Sequence, residues 1–175
     1  MINWKDRITT LVLVEQELMN QDVEQIWQNH FPEVGASEEY VYAFEQKLGY
    51  KLDLKYRDFL KHANGWKGFY QAVDLFGIEQ LKKSTTMEYA QMLLTVIDDN
   101  VLKESGVVRP ELLPIAVSEF DKDVFVLCLP NSSRSGKIFW FAGEEIDRFK
   151  NFDEYFLAMV DYNREEILAL KNYIQ

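Results

Sequence analysis

Carboxylates are the most abundant chemical material in this chain. Glu119, Asp121 and Asp123 crowd the stretch SEFDKD, Asp98 and Asp99 adjoin, and Glu144 and Glu145 follow Phe141. Paired carboxylates can divide the work of general acid and base, or hold a divalent cation. None of these sets has calcium-loop spacing, and acids gather in the loops of any acidic protein. The same display can instead meet arginines and lysines of a basic protein, where complementary charge speeds encounter and fixes orientation. Cys128 with His30 or His62 has the composition of a thiol nucleophile and its base. But Cys128 lies inside VFVLCL, an apolar β-like run that predicts a buried, inert thiol. His30 precedes a Phe-Pro breaker, and His62 falls in the last turn of a short helix, facing its dipole. One cysteine excludes an intramolecular disulfide and a cysteine-rich zinc cage. Gly65-Trp66-Lys67-Gly68 lacks the rest of a dinucleotide fingerprint and the Lys-Ser or Lys-Thr of a P-loop. The residues therefore predict a protein without catalytic, cofactor-binding or metal-binding positions.

Charge narrows the partners. The 175 residues carry 29 Asp and Glu against 19 Lys and Arg, a formal net charge of -10. Such a surface repels a phosphate backbone and excludes nucleic acid as a natural partner. Hydrophobic residues make up 47% and aromatics 14%, ample for a packed core. No run approaches the roughly 18 uninterrupted apolar residues of a membrane span, and Glu15 and Glu17 interrupt the N-terminal apolar stretch. The expectation is a cytoplasmic protein, free of the membrane and by default a monomer, whose partner is basic.

Periodicity supplies the elements. Trp4 to about Trp27 predicts a helix capped by Asn3, with a point of interruption around Asn20, and Pro32 and Gly35 end that unit. Ser37 caps a second helix with Val41, Phe44 and Leu48 inward and Gly49 as its stop. Asp53 caps a third, carrying Tyr56, Phe59, Leu60 and Ala63 into KHANGWKGFYQAVDLFG. There Asn64-Gly65 turns the chain, because both residues readily adopt positive φ. Trp66, Phe69 and Tyr70 then lie on a connection, as core cover or as an exposed aromatic handle, before a strand from Ala72 to Phe76. A helix capped by Thr85 or Thr86 runs through Val101 to Gly106. Residues 115–117, 124–129 and 138–141 read as an antiparallel meander. Asn151 caps a final helix. Clustered strands flanked by helices predict an α+β fold, an antiparallel or mixed sheet covered by helices. We expect one domain over residues 1–175, with 1–36 as a helical extension and 161–175 as the end of the last helix.

The order of several short elements resembles the SMI1/KNR4 superfamily, also called SUKH. These are Glu45-x-x-Leu48-Gly49, Tyr56-x-x-Phe59-Leu60, Asn64-Gly65, Leu75-Phe76-Gly77, Leu113-Pro114-Ile115 and Phe152-x-x-Tyr155-Phe156-Leu157. The resemblance covers roughly 37–160. It departs where Asp53 replaces a proline, where Ala116 replaces a glycine, and where EFDKD replaces a Gly-Gly-Asp-like turn. It implies a binding protein. Bacterial members are mostly immunity proteins that bind and block a toxin, often a nuclease, while eukaryotic members are regulatory interaction scaffolds. The acidic balance suits the first, since a nuclease needs a basic cleft that an acidic inhibitor can fill. The expected partner is a basic protein toxin with a nuclease domain. The expected interface has Trp66, Phe69 and Tyr70 as anchors, rimmed by Glu119, Asp121, Asp123, Glu144 and Glu145.

Overall fold

A computed structural model describes residues 2–173. The elements are α1 (Trp4–Gln21), α2 (Glu38–Leu48), α3 (Leu54–Leu60), β1 (Trp66–Tyr70), β2 (Val73–Leu75), α4 (Ile78–Leu81), α5 (Thr85–Val96) and α6 (Asp99–Ser105). After a 3₁₀ turn at Arg109–Glu111 come β3 (Leu112–Ser118), β4 (Val124–Cys128), β5 (Ile138–Phe141), β6 (Glu145–Phe149) and α7 (Phe152–Tyr173). The strands form one antiparallel sheet in sequence order, β1 to β6. The fold is α+β, as composition and periodicity predict.

Local chemistry sets most boundaries. Asn3, Ser37, Asp53 and Asn151 accept backbone N–H groups at the starts of α1, α2, α3 and α7, and Gly49 stops α2 at φ 77°. Several boundaries differ from the sequence reading; α3 stops at Leu60, short of Ala63, and β3 begins at Leu112 rather than Ile115. Helix α1 ends at Gln21, because the buried Asp22 carboxylate takes the N–H groups of Ile26 and Trp27 at 2.9 and 2.8 Å and turns the chain out of the helix. Ser84 rather than Thr85 or Thr86 caps α5. The expected long helix breaks at Ile97, where Asp98 caps a separate α6. Arg109 holds that break by donating to the carbonyls of Leu94 and Ile97.

The sheet is curled around α7. Four strand spacings of about 4.8 Å would hold β1 and β5 roughly 19 Å apart in a flat sheet, yet Tyr70 of β1 and Trp140 of β5 meet with ring centroids 6.1 Å apart. The buried ring of Tyr155 in α7 is touched by Phe69 of β1, Phe125 of β4 and Phe149 of β6. On the same side Trp4 of α1 packs against Phe59, Phe152 and Phe156 at 5.5 to 5.7 Å. Helix α5 covers the opposite face through β3 and β4, burying Met87, Ala90, Leu93 and Leu94. Strand β4 is thus buried along its whole length, which is why VFVLC is uniformly apolar. The edge strand β6 alternates half-buried and exposed residues up to the buried Phe149 and carries Glu145, Asp147 and Arg148, charges that discourage edge-to-edge association.

The other edge, β1, is covered by the chain between α1 and α2. Glu33 exchanges backbone hydrogen bonds with Gly65 and Asn64, and the Trp66 indole N–H donates to the His30 carbonyl at 2.9 Å. A Cβ on Gly68, at φ 64°, would come within 2.8 Å of the Gln28 carbonyl oxygen. Farther along, Asn64-Gly65 and Gly77 pack backbone to backbone, and Asn64 Oδ1 accepts the Ile78 N–H. The Asn-Gly and Leu-Phe-Gly elements are thus two sides of one contact. Glu45 is likewise structural: its buried carboxylate takes the Leu52 N–H and the Arg57 guanidinium, tying α2 to α3. Tyr56 donates to the Phe76 carbonyl at 2.7 Å.

Two stability predictions follow from this packing. A methyl group on Gly77 would lie 1.9 Å from the Asn64 carbonyl oxygen, so Gly77→Ala lowers unfolding free energy by about 3 kcal/mol in a urea titration. Glu15 of α1 is buried, its Oε1 without a hydrogen-bond partner among the described residues, and burial raises its pKa to about 9, only partly offset by the Trp66 side chain. The folded chain therefore keeps this proton while the unfolded chain releases it near the ordinary value of 4.5. Glu15 accordingly lowers stability as pH rises from about 4.5 to 9, by up to about 1.4 kcal/mol per pH unit, with no further loss above. Glu15→Gln removes that slope and raises stability at pH 8 by about 2 kcal/mol or more, read from denaturant midpoints at several pH values.

Candidate functional site

Antiparallel order brings three turns to the same end of the sheet: Gln71–Ala72 between β1 and β2, residues 119–123 between β3 and β4, and 142–144 between β5 and β6. The register fixes this, since Tyr70 pairs with Val73, Val73 with Ser118, Val117 with Val124, Val124 with Phe141 and Phe141 with Glu145. Each turn has one left-handed residue, namely Gln71 at φ 50°, Lys122 at 59° and Gly143 at 80°.

The expected anchors Trp66 and Phe69 are not at this surface. They belong to β1 rather than to a connection, and are 1% and 0% exposed. Phe69 packs on Tyr155 and Phe156 of α7 and Trp66 packs on Phe69; simple alternation would set residues three apart on opposite faces, but the register of β1 shifts between Trp66 and Tyr70 and both are buried. Tyr70 is the half-buried exception. It joins Trp140 and Tyr162 in a cluster whose ring centroids lie 5.8 to 6.1 Å apart. Burial, and then the acidic groups Glu166, Asp123, Tyr162 and Glu165, push the Tyr70 phenol up to about 12.

The acids at this end divide into two kinds. Asp123 is buried and accepts the Trp140 indole N–H at 2.7 Å, so it positions an aromatic ring and is not a free rim charge. Burial and, less, Asp121 raise its pKa, while the Trp140 bond opposes them. Glu145 is half-buried and paired with Arg148 at 2.5 and 2.7 Å, a pairing that offsets its charge. Glu119, Asp121 and Glu144 are exposed and make no ion pair among the described residues. Between Glu119 and Asp121 stands Phe120, 84% exposed. The sequence reading passed over Phe120, although an aromatic inside SEFDKD was its own signal. Trp140, Tyr162 and Asp147, whose carboxylate accepts the Tyr162 hydroxyl at 2.9 Å, were also missed, because their meeting depends on the curl of the sheet.

A groove of about 660 Å³ opens at the same end, bounded by the segment carrying Ile26 and Trp27, the β1–β2 hairpin with Asp74, and the turn bearing Glu119, Phe120 and Asp121. Asp74 is half-buried and its Oδ1 accepts the Gly68 N–H at 2.8 Å. The remaining chemical candidates are dispersed. Cys128 is buried, and burial pushes its thiol up to about 11. His62 lies on the Asp58 carbonyl and His30 beside the Gln28 side chain. Among the described residues no three His, Cys, Asp or Glu side chains are grouped to hold a metal ion, and no helix is long and apolar enough to cross a membrane.

Comparison with curated proteins yields no match. The profile of the SMI1 / KNR4 family (SUKH-1) matches residues 35–158. The three turns lie inside that span, whereas Ile26, Trp27 and Tyr162 lie outside it. With most of its length matched, and with Glu45, Tyr56, Asn64 and Gly77 joining the elements of that span, the chain belongs to the SMI1/KNR4 (SUKH) family.

Proposed function

We propose that this protein is an immunity protein of the SUKH type, which binds a basic protein toxin, a nuclease domain, and blocks it by occlusion. The observation that carries the reading is the gathering of three turns at one sheet end, with Glu119, Asp121 and Glu144 exposed and unpaired beside Phe120 and the Tyr70 cluster. An exposed aromatic among acids supplies the two ingredients of a binding hot spot, apolar area to desolvate and charge to steer. A net charge of -10 extends the attraction beyond the contact itself. The mechanism needs no bond made or broken: carboxylates occupy the basic cleft that would hold a phosphate backbone, and bulk excludes the substrate. A regulatory scaffold of the same family would use the same face on a housekeeping partner, and the identity of the partner separates the two.

Co-expression with toxins encoded beside the gene, scored as rescue of growth, tests the proposal. The parent chain restores growth against its cognate toxin. Asp121→Lys combined with Glu144→Lys, two exposed changes, leaves the melting temperature nearly unchanged and weakens toxin binding by about tenfold or more, mainly through slower association that depends on salt. Protection by the double variant equal to the parent's removes the hairpin end from the interface.

A further inference from the structure

The groove beside the hairpin end has a composition of its own. Trp27 and Ile26 line it from the segment after α1, and Phe120 lines it from the β3–β4 turn, so much of its surface is apolar or aromatic. Within it lies the Asp74 carboxylate, half-buried, with Oδ1 committed to the Gly68 N–H and no ion pair among the described residues. Glu119 and Asp121 add two further carboxylates, against Lys67, which is exposed, and His30. Burial, with Glu119 adding to it, raises the Asp74 pKa, opposed by the Gly68 bond, Lys67 and His30. The balance of formal charge in the groove is negative.

We infer that this groove receives an arginine-bearing segment of the partner protein, the guanidinium meeting Asp74 and Glu119 while its aliphatic stem lies along Trp27, Ile26 and Phe120. Charge complementarity selects a cation. The planar guanidinium fork suits a carboxylate that still has one oxygen free, and long cationic side chains cover apolar walls while keeping the head group on polar atoms. A volume of about 660 Å³ accommodates a short stretch of chain rather than one side chain alone. One wall of the groove, made by Ile26, Trp27, Gln28 and His30, lies outside the span matched by the family, so that wall belongs to this chain and can set partner choice within a shared scaffold. The inference deepens the proposed function and rests on its reading of the hairpin end as the binding face.

The test is a titration of ¹⁵N-labelled protein with the capped peptide Ac-Gly-Arg-Trp-Arg-Gly-NH₂, and separately with the same peptide carrying norleucine in place of both arginines. Chemical-shift changes confined to Gly68, Asp74, Phe120 and the Trp27 indole N–H, seen with the arginine peptide and at least about tenfold weaker with the norleucine one, support the groove. Asp74→Asn keeps an acceptor for the Gly68 N–H and weakens the arginine peptide by a similar factor. Phe120→Ala, at an exposed position, weakens it without altering thermal stability. Equal response to both peptides, shifts spread over the surface, or full binding by Asp74→Asn overturns the inference. This titration needs no toxin, so it stands or falls separately from growth rescue. A parent that rescues growth while Asp74→Asn protects equally well overturns the groove and leaves the immunity reading in place.

Discussion

The curl of the sheet around α7 is the constraint on which the rest of the molecule depends. Tyr155 can touch strands β1, β4 and β6 at once only because the sheet wraps its helix. Aromatic rings suit this task, since each buries a large area and a packed aromatic pair adds about 0.5–1.5 kcal/mol beyond its area. Among the described residues the Tyr155 hydroxyl and the Trp4 indole N–H have no hydrogen-bond partner, a local cost that the surrounding ring packing must exceed. The same curvature brings Tyr70, Trp140 and Tyr162 into contact at the edge of the core, so the surface cluster is an outgrowth of the interior packing.

Electrostatics separates framework from face. Several framework acids have assigned cations: Arg57 bridges Glu45 and Glu38, Arg7 pairs with Asp153, and Lys171 with Glu17. At the hairpin end Glu119, Asp121 and Glu144 have no ion pair among the described residues and lie next to the exposed Phe120. Glu45 and Glu119 are therefore the same residue type under opposite rules. One is desolvated and compensated inside the fold, the other solvated and available to a second molecule. Glu119, Phe120, Asp121 and Glu144 in these turns are exposed and carry little of the core.

Much of the fold was legible in the chain because its signals are local. Ser37, Asp53 and Asn151 cap helices wherever a helix follows them, and Gly49 stops one by taking a conformation that other residues resist. The uniformly apolar VFVLC announced a strand covered on both faces. Strand β6 was hidden because EIDRF, an edge strand, is half charged, and periodicity carries no mark of a sheet edge. Helical spacing runs on to Trp27, six residues past the end of α1 at Gln21, which falls beside the interruption expected around Asn20; the carboxylate of Asp22 turns the chain there. For the site, Glu119, Asp121 and Glu144 were found as exposed acids, but Trp66 and Phe69 were misplaced on a connection that is in fact a strand facing α7.

By itself, then, the amino-acid order determined the starts of α1, α2, α3 and α7, the stop of α2, the α+β class, the acidity and the family, since each depends on residues close in the chain or on composition. Tertiary structure alone decided which aromatics are interior and which are available, that Asp123 serves Trp140, and that three turns and a groove share one end. The physical reason is that burial and charge pairing are properties of neighbours in space. Trp140 and Tyr162, or Asp74 and Phe120, become neighbours only after the sheet has closed on its helix.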